Sequence, residues 1–290
     1  MFAVTAVSGF PKPGYNGYNI DNILKGQIGD DAYFVARHVD EWGSGEREGT
    51  PEPLRENATQ GKIRGNADVI GVADGVGGWR QYGVDPGLFS NHLMRSCERL
   101  VQAGFFQSNT PSKLLEQVRP DVLCKTETVL PFSYSLPQGF REMQENKQQI
   151  VGSSTACLMM LCHSDLKLYT ANIGDSGFLV VRCGEVVHRS QEQQHYFNTP
   201  FQLSLPPTEL MSEVLADRPE SADQYEFSVE DGDVILLATD GLFDNVPDRL
   251  LVAEMSDVQH CKDEIKLQKS ANAIALMARK LSKDPKVSLL

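Results

Sequence analysis

Val69-Ile70-Gly71-Val72-Ala73-Asp74-Gly75-Val76-Gly77-Gly78 is an apolar run that ends on an aspartate and then places three glycines in five residues. A near-continuous apolar run of this length suits a strand buried on both faces. A carboxylate at its end stands where a rigid core meets solvent, and a glycine behind it lets the backbone turn sharply or approach a ligand closely. Val234-Ile235-Leu236-Leu237-Ala238-Thr239 repeats the pattern and ends in Asp240-Gly241. Leu168-Tyr169-Thr170-Ala171-Asn172-Ile173-Gly174-Asp175-Ser176 gives a third case, and Asp30-Asp31 leads into Ala32-Tyr33-Phe34-Val35. Asp-Gly alone is also a common hairpin-turn signal. Here the extra glycines after Asp74 exceed what a two-residue turn needs, and Leu242-Phe243-Asp244 after Asp240-Gly241 does not return as a strand. Four acidic strand ends point to one site for a hard cation.

Gly29-Asp30-Asp31-Ala32, Val72-Ala73-Asp74-Gly75-Val76-Gly77-Gly78, Gly152-Ser153-Ser154-Thr155-Ala156, Ala171-Asn172-Ile173-Gly174-Asp175-Ser176 and Ala238-Thr239-Asp240-Gly241-Leu242-Phe243-Asp244 resemble, in order, the motifs of the metal-dependent type 2C protein phosphatases. Gly78-Trp79-Arg80, Gly83-Val84-Asp85-Pro86 and the stretch from His188 to Leu203 are similar to one compact branch, the mitochondrial T-cell-activation phosphatase 2C homologues. The similarity spans roughly residues 1 to 36, 67 to 120 and 148 to 285. It implies an αββα sandwich, two mainly antiparallel sheets flanked by helices. Pattern alone gives only α+β.

The resemblance further implies the ligands and the reaction. Asp74 would bridge two Mn²⁺ or Mg²⁺ ions, the Gly75 carbonyl would bind one, Asp240 and Asp31 would complete the shells, and Asp175 would serve a weaker third ion. Asp31, Asp74 and Asp240 are thus the expected catalytic residues. Carboxylates and carbonyls suit these ions, and the absence of His or Cys beside the aspartates argues against zinc there. Two ions lower the pKa of a bridging water and clamp the phosphoryl oxygens, so phosphoserine and phosphothreonine proteins would be hydrolysed directly, without a phosphoenzyme. Asp30 ranks below Asp31, because adjacent strand residues face opposite ways. His195 and Thr199-Pro200-Phe201 lie outside every metal motif and read as loop anchors.

Composition excludes several classes. The chain carries no apolar run near the roughly 20 residues that a membrane helix needs. Its net charge of −12 would repel nucleic-acid phosphates. The six cysteines show no CxxC pairing and no zinc spacing with His, and read as small buried apolar residues of a reducing compartment. Gly43-Ser44-Gly45 with Gly49 misses dinucleotide-loop spacing, and no strand precedes it. Nor is there a signal peptide, and the first 20 residues, with one Lys and no Arg, make a poor transit peptide. Mitochondrial residence follows from the resemblance alone, with the cytoplasm as the alternative, and the expected state is a monomer.

One domain over 1–290 is expected, with a charged, mobile insert at 37–66 and an irregular insert at 121–147. Asp85 with Pro86 opens a helix whose apolar face holds Phe89, Leu93, Cys97, Leu100 and Val101. A second helix begins at Pro111. Three strands run from Ser153 to Arg182 and Val186-Val187 adds a short one. Phe227 to Thr239 reads as a hairpin through Glu230-Asp231-Gly232. Helices at about 247–257 and 270–282 close the chain, the latter capped by Ser270.

Three departures separate the chain from the family pattern. Val76 stands where many relatives carry a proton-donating histidine after the metal-binding Asp-Gly. Only Lys25 precedes Asp30 where relatives often carry a phosphate-binding arginine, and a lysine lacks bidentate geometry. The family also ends with a strand introduced by a further acidic motif, whereas this sequence stops at Leu290 after Asp284-Pro285-Lys286-Val287-Ser288-Leu289; a C-terminally truncated fold is therefore expected, and Lys-Val-Ser is what read-through of a splice donor would encode. Val76 and the missing acid keep a second reading open, a catalytically weak relative that binds phosphoproteins. The position of Asp231-Gly232-Asp233, before its apolar run instead of after it, argues against an aspartyl-phosphate hydrolase.

Overall fold

The apolar runs become strands, and their alternating faces become two different cores. A computed structural model describes residues 3–12, 25–39, 67–106, 108–118, 150–207, 210 and 214–283. The strands are β1 (Gln27–Ile28), β2 (Asp31–Val39), β3 (Ala67–Asp74), β4 (Gly152–Ser154), β5 (Ala156–Cys162), β6 (Lys167–Ile173), β7 (Gly177–Arg182), β8 (Glu185–Arg189), β9 (Gln194–Tyr196), β10 (Thr199–Pro200), β11 (Leu203–Leu205), β12 (Asp223–Ser228) and β13 (Val234–Ala238). The helices are α1 (Pro86–Gln102), α2 (Pro111–Val118), α3 (Asp240–Phe243), α4 (Asp248–Ser256) and α5 (Glu264–Leu281). The larger sheet runs β1-β2-β3-β5-β6-β12 and the smaller β13-β7-β8, every pairing antiparallel.

Parity assigns the layers. In β5, Leu158, Met160 and Cys162 join Leu93, Met94 and Cys97 of α1 and Leu114 and Leu115 of α2 in one core. Cys157 and Met159, on the opposite face, meet Phe178 and Val180 of β7 between the sheets. Leu179 and Val181 turn outward onto Leu251 and Met255 of α4 and Ile274 and Ala278 of α5. The result is helix, sheet, sheet, helix: the expected αββα sandwich. The odd separation of Cys157 and Cys162 does put them on opposite faces.

Local signals behave as physics requires. Asp85 caps α1, its carboxylate accepting from the Gly87 N–H at 3.0 Å, with Pro86 at the first helical position. The last helix begins at Glu264, six residues before the expected start, because the Asp263 carboxylate accepts from the Ile265 and Lys266 N–H groups. Ser270 is interior to it, and its hydroxyl donates to the Glu254 carbonyl at 3.3 Å. The strand that opens at Asp31, β2, runs on past Val35 to Val39. Most of the insert at 37–66 and all of that at 121–147 lie outside the described residues.

The expected hairpin over 227–239 is corrected. β12 pairs with β6 in the larger sheet and β13 with β7 in the smaller, so the turn at Glu230–Asp233 carries the chain between sheets. Two carboxylates hold that turn. The Arg182 guanidinium donates to Asp233 at 2.7 Å through both Nε and an η nitrogen, and to Glu230 at 2.5 Å. Asp233 also accepts from the Glu230 N–H at 2.9 Å. Among the described residues β13 is an edge of its sheet, and all five of its residues are half-buried. It borders a cavity of about 1060 Å³ lined by Ile70, Val72 and Met159 of the larger sheet, Ile274 and Ala278 of α5, and the N-terminal stretch Ala3–Lys12.

Candidate metal centre

Antiparallel pairing brings the first two carboxylates together. Asp31 opens β2, Asp74 closes β3, and the two are direct cross-strand partners, so their side chains leave the same face of the sheet. Asp240 arrives from the other sheet, one residue past Thr239, which follows β13 and caps α3. Its carboxyl lies within hydrogen-bonding reach of Asp74, while the Thr239 hydroxyl reaches Asp31. Asp175, in the turn that leads β6 of one sheet into β7 of the other, feels Asp240, Asp244 and Glu192. The site therefore bridges the sheets.

The backbone under Asp74 is clamped by the Gly152–Thr155 motif. Ser154 donates its hydroxyl to the Asp74 carbonyl at 2.8 Å, and the Thr155 N–H donates to the same oxygen at 3.0 Å. In return the Asp74 N–H donates to the Thr155 hydroxyl at 3.2 Å, itself 2.7 Å from the Ser176 hydroxyl. Gly75 is required by close approach: a Cβ there would stand 2.3 Å from the Pro86 carbonyl oxygen at the start of α1. Gly174 is required by its φ of +97°. Trp79 continues the support, donating its indole N–H to the Ser153 hydroxyl at 2.6 Å; that hydroxyl donates to Gln202 at 2.6 Å.

Electrostatics expose a charge imbalance. Burial pushes the Asp74 carboxyl well above the usual range, and Asp31 and Asp240 push it further. Asp31 moves the same way, by burial first. Asp175 is raised to about 6 by burial and then Asp240. One oxygen each of Asp31 and Asp74 is buried with no hydrogen-bond partner. Crowded carboxylates with orphaned oxygens and an all-oxygen donor set match the needs of Mg²⁺ or Mn²⁺. Lys12 offsets part of the charge, its ammonium 3.8 Å from Asp74. Burial works to lower the Lys12 pKa, but four carboxylates, Asp74 foremost, carry it upward.

Asp30 takes a different path. Its buried carboxylate ion-pairs with Arg80, and its carbonyl accepts from the Ser90 hydroxyl and the Gly75 N–H. It braces the start of β2 through these contacts, while its second carboxylate oxygen is buried without a hydrogen-bond partner. His195 is bound to Asp217 at 2.9 Å and stacks on Phe201 with centroids 4.2 Å apart, so the Thr199–Phe201 segment is a loop anchor. The lysine brought to the carboxylates is Lys12, not Lys25. Sequence reading also passed over Asp244 and Glu192. Asp244 sits one helical turn after Asp240 and was visible in the motif; Glu192 carries no local signal.

A sequence profile described as Protein phosphatase 2C matches residues 47–277. The chain belongs to the protein phosphatase 2C family. The protein phosphatase PTC7 homologue of Xenopus laevis is 45% identical over 283 residues, covering 97% of this chain and 78% of that protein. The Homo sapiens PTC7 homologue is also 45% identical over 283 residues, covering 97% and 76%. Among solved structures, the photosystem II phosphatase PBCP superposes with a TM-score of 0.62 at 25% identity, over 96% of this chain and 80% of that one. This type 2C chain is a metal-dependent serine/threonine protein phosphatase acting on phosphoproteins, and no described helix is long and apolar enough to cross a membrane.

Proposed function

We propose that Asp31, Asp74 and Asp240, with the Gly75 carbonyl, hold two Mg²⁺ or Mn²⁺ ions, that Asp175 serves a third, and that phosphoserine and phosphothreonine esters are hydrolysed there by direct attack of water. The observation that carries this reading is the facing pair Asp31 and Asp74, each with a buried, unpartnered oxygen and a raised pKa. These carboxylates would hold the divalent ions, which when bound would supply a coordinated water of lowered pKa and positive charge for the phosphoryl oxygens. The chain's own residues do the rest. Ser154 and Thr155 fix the Asp74 backbone, Arg80 locks the strand-start turn through Asp30, and Lys12 meets the incoming phosphoryl group as a point charge. Val76 offers no proton to the departing alkoxide, so protonation of the leaving group is left to solvent water.

A single 1–290 domain with inserts at 37–66 and 121–147, acting as a monomer, is part of the same reading. Mitochondrial residence rests on the branch resemblance alone, and fractionation of cells expressing the full-length protein checks it. The central experiment is an assay on a phosphothreonine peptide with added Mn²⁺ or Mg²⁺. Turnover that vanishes in excess EDTA and returns with either ion is expected. Undiminished turnover in EDTA overturns the reading, and phosphopeptide binding without turnover under all conditions favours a binding module instead.

A further inference from the structure

At the opposite end of the larger sheet, three ligand-type side chains meet that the phosphatase chemistry does not use. His38 stands near the end of β2, Asp68 near the start of β3, and His163 just beyond β5, and one ligand atom from each lies within 4.8 Å of the other two. Asp68 is six residues from Asp74 along one strand, roughly 20 Å at a strand's rise per residue. The two sites are therefore separate.

The arrangement is built, not incidental. The β2/β3 register slips between Ala36 and Val39, and His38 takes a φ of +54°, a left-handed conformation that side-chain-bearing residues rarely adopt. That bulge turns the His38 N–H onto the Asp68 carboxylate at 2.8 Å and leaves its ring Nδ1 3.9 Å from the same oxygen. His163 Nε2 lies 3.0 Å from the other Asp68 oxygen. Asp68 is almost fully buried, while the side chains of His38 and His163 keep 39% and 18% of their surface, so a cation has a path from solvent to a carboxylate held at the core's edge. The two imidazoles stand edge to face with centroids 5.7 Å apart.

The geometry points to a zinc-class site: a divalent cation of borderline softness held by His38, Asp68 and His163, with a fourth position open to water. Two imidazole nitrogens and one carboxylate oxygen form a recurrent zinc donor set, unlike the oxygen-only set at Asp74. Zinc bonds of about 2.0 to 2.2 Å put tetrahedral ligand atoms roughly 3.3 Å apart, so closing the site takes side-chain movements of up to about 1.5 Å, which the half-exposed His38 can make. The bound ion ties the ends of three neighbouring strands, β2, β3 and β5.

The test is calorimetric titration of Zn²⁺ into the full chain, with millimolar Mg²⁺ present to occupy the acidic site, and with Co²⁺ absorption as a reading of coordination. One equivalent of Zn²⁺ at micromolar affinity or tighter, raising the thermal midpoint, is expected. H38Q and H163Q should each weaken it at least about tenfold, and D74N should leave it unchanged. H38Q alters a half-exposed side chain and is checked for folding by circular dichroism; H163Q gives the independent second reading. Absence of the equivalent, or its loss in D74N with retention in H38Q and H163Q, overturns the site.

Discussion

In the proposed reaction Asp74 is the residue on which most of the chemistry would depend, since its carboxylate faces Asp31 across a ladder, Asp240 from another sheet and the ammonium of Lys12. A neutral amide of the same shape cannot neutralise two dications. D74N is therefore expected to abolish turnover of a phosphothreonine peptide while keeping the fold; a wild-type rate would place the reaction elsewhere. If Lys12 meets the phosphoryl group as proposed, K12A should raise KM several-fold with a smaller change in kcat, and K12R should recover part of the loss. His92 is a residue-scale case of another kind. On α1 its Nε2 is buried without a partner, and burial, then Arg99, lowers its pKa to about 4. The native state refuses a proton that the unfolded chain takes near 6.5, so stability is full above that pH and falls as pH drops towards 4. The site carboxylates titrate with the opposite sign, but H92Q retains them. Urea midpoints in EDTA at pH 7.5, 5.5 and 4.5 should thus fall more steeply for the wild type than for H92Q, and parallel curves would refute the assignment.

Elements were legible where periodicity and capping agreed, and illegible where a strand's partner had to be guessed. The Asp85-Pro86 start of α1 could be read because side chain, cap and apolar face give one answer. The stretch 227–239 could not, because alternation reports that a strand is half-buried, never which sheet buries it. The first turn of α5 hides for a related reason: Glu264, Ile265 and Lys266 are all exposed, so the Asp263 cap is its clearest marker. Lys12 escaped because 18 residues separate it from Asp30, and only the return of the chain brings it to the carboxylates. The acidic strand ends were legible because each carries its glycine or its apolar run in the local sequence. At this scale the Gly152–Thr155 strand predicts its own test. S154A removes one of two donors to the buried Asp74 carbonyl and should cost about 1 kcal/mol of stability. It should also raise the Mn²⁺ concentration needed for half-maximal activity; unchanged thermal midpoint and unchanged Mn²⁺ dependence would show that the clamp is idle.

Across the whole molecule, the αββα layering makes two hydrophobic faces per sheet but joins the sheets to each other at one shared core, in which Phe178 and Val180 meet Cys157 and Met159. That core opens towards β13, whose residues are half-buried beside a large cavity. The smaller sheet therefore has the weaker hold. Asp31 and Asp74 belong to one sheet and Asp240 to the end of the other, so a divalent ion held as proposed would also be a rivet driven through both plates. Binding adds about 2.7 kcal/mol to the stability of the folded state when free ion is a hundredfold above its Kd. Stripping the ions should therefore lower the thermal midpoint and speed amide exchange in β13 and α3, while β5 and β6, interior to the larger sheet, keep their protection. Uniform loss of protection, or none, would refute this. The same ions that set the rate would then also set the protein's lifetime: in EDTA, limited chymotrypsin digestion should cut first in and beside β13, between Phe227 and Phe243, severing the strand that leads to Asp240 before the rest of the molecule yields.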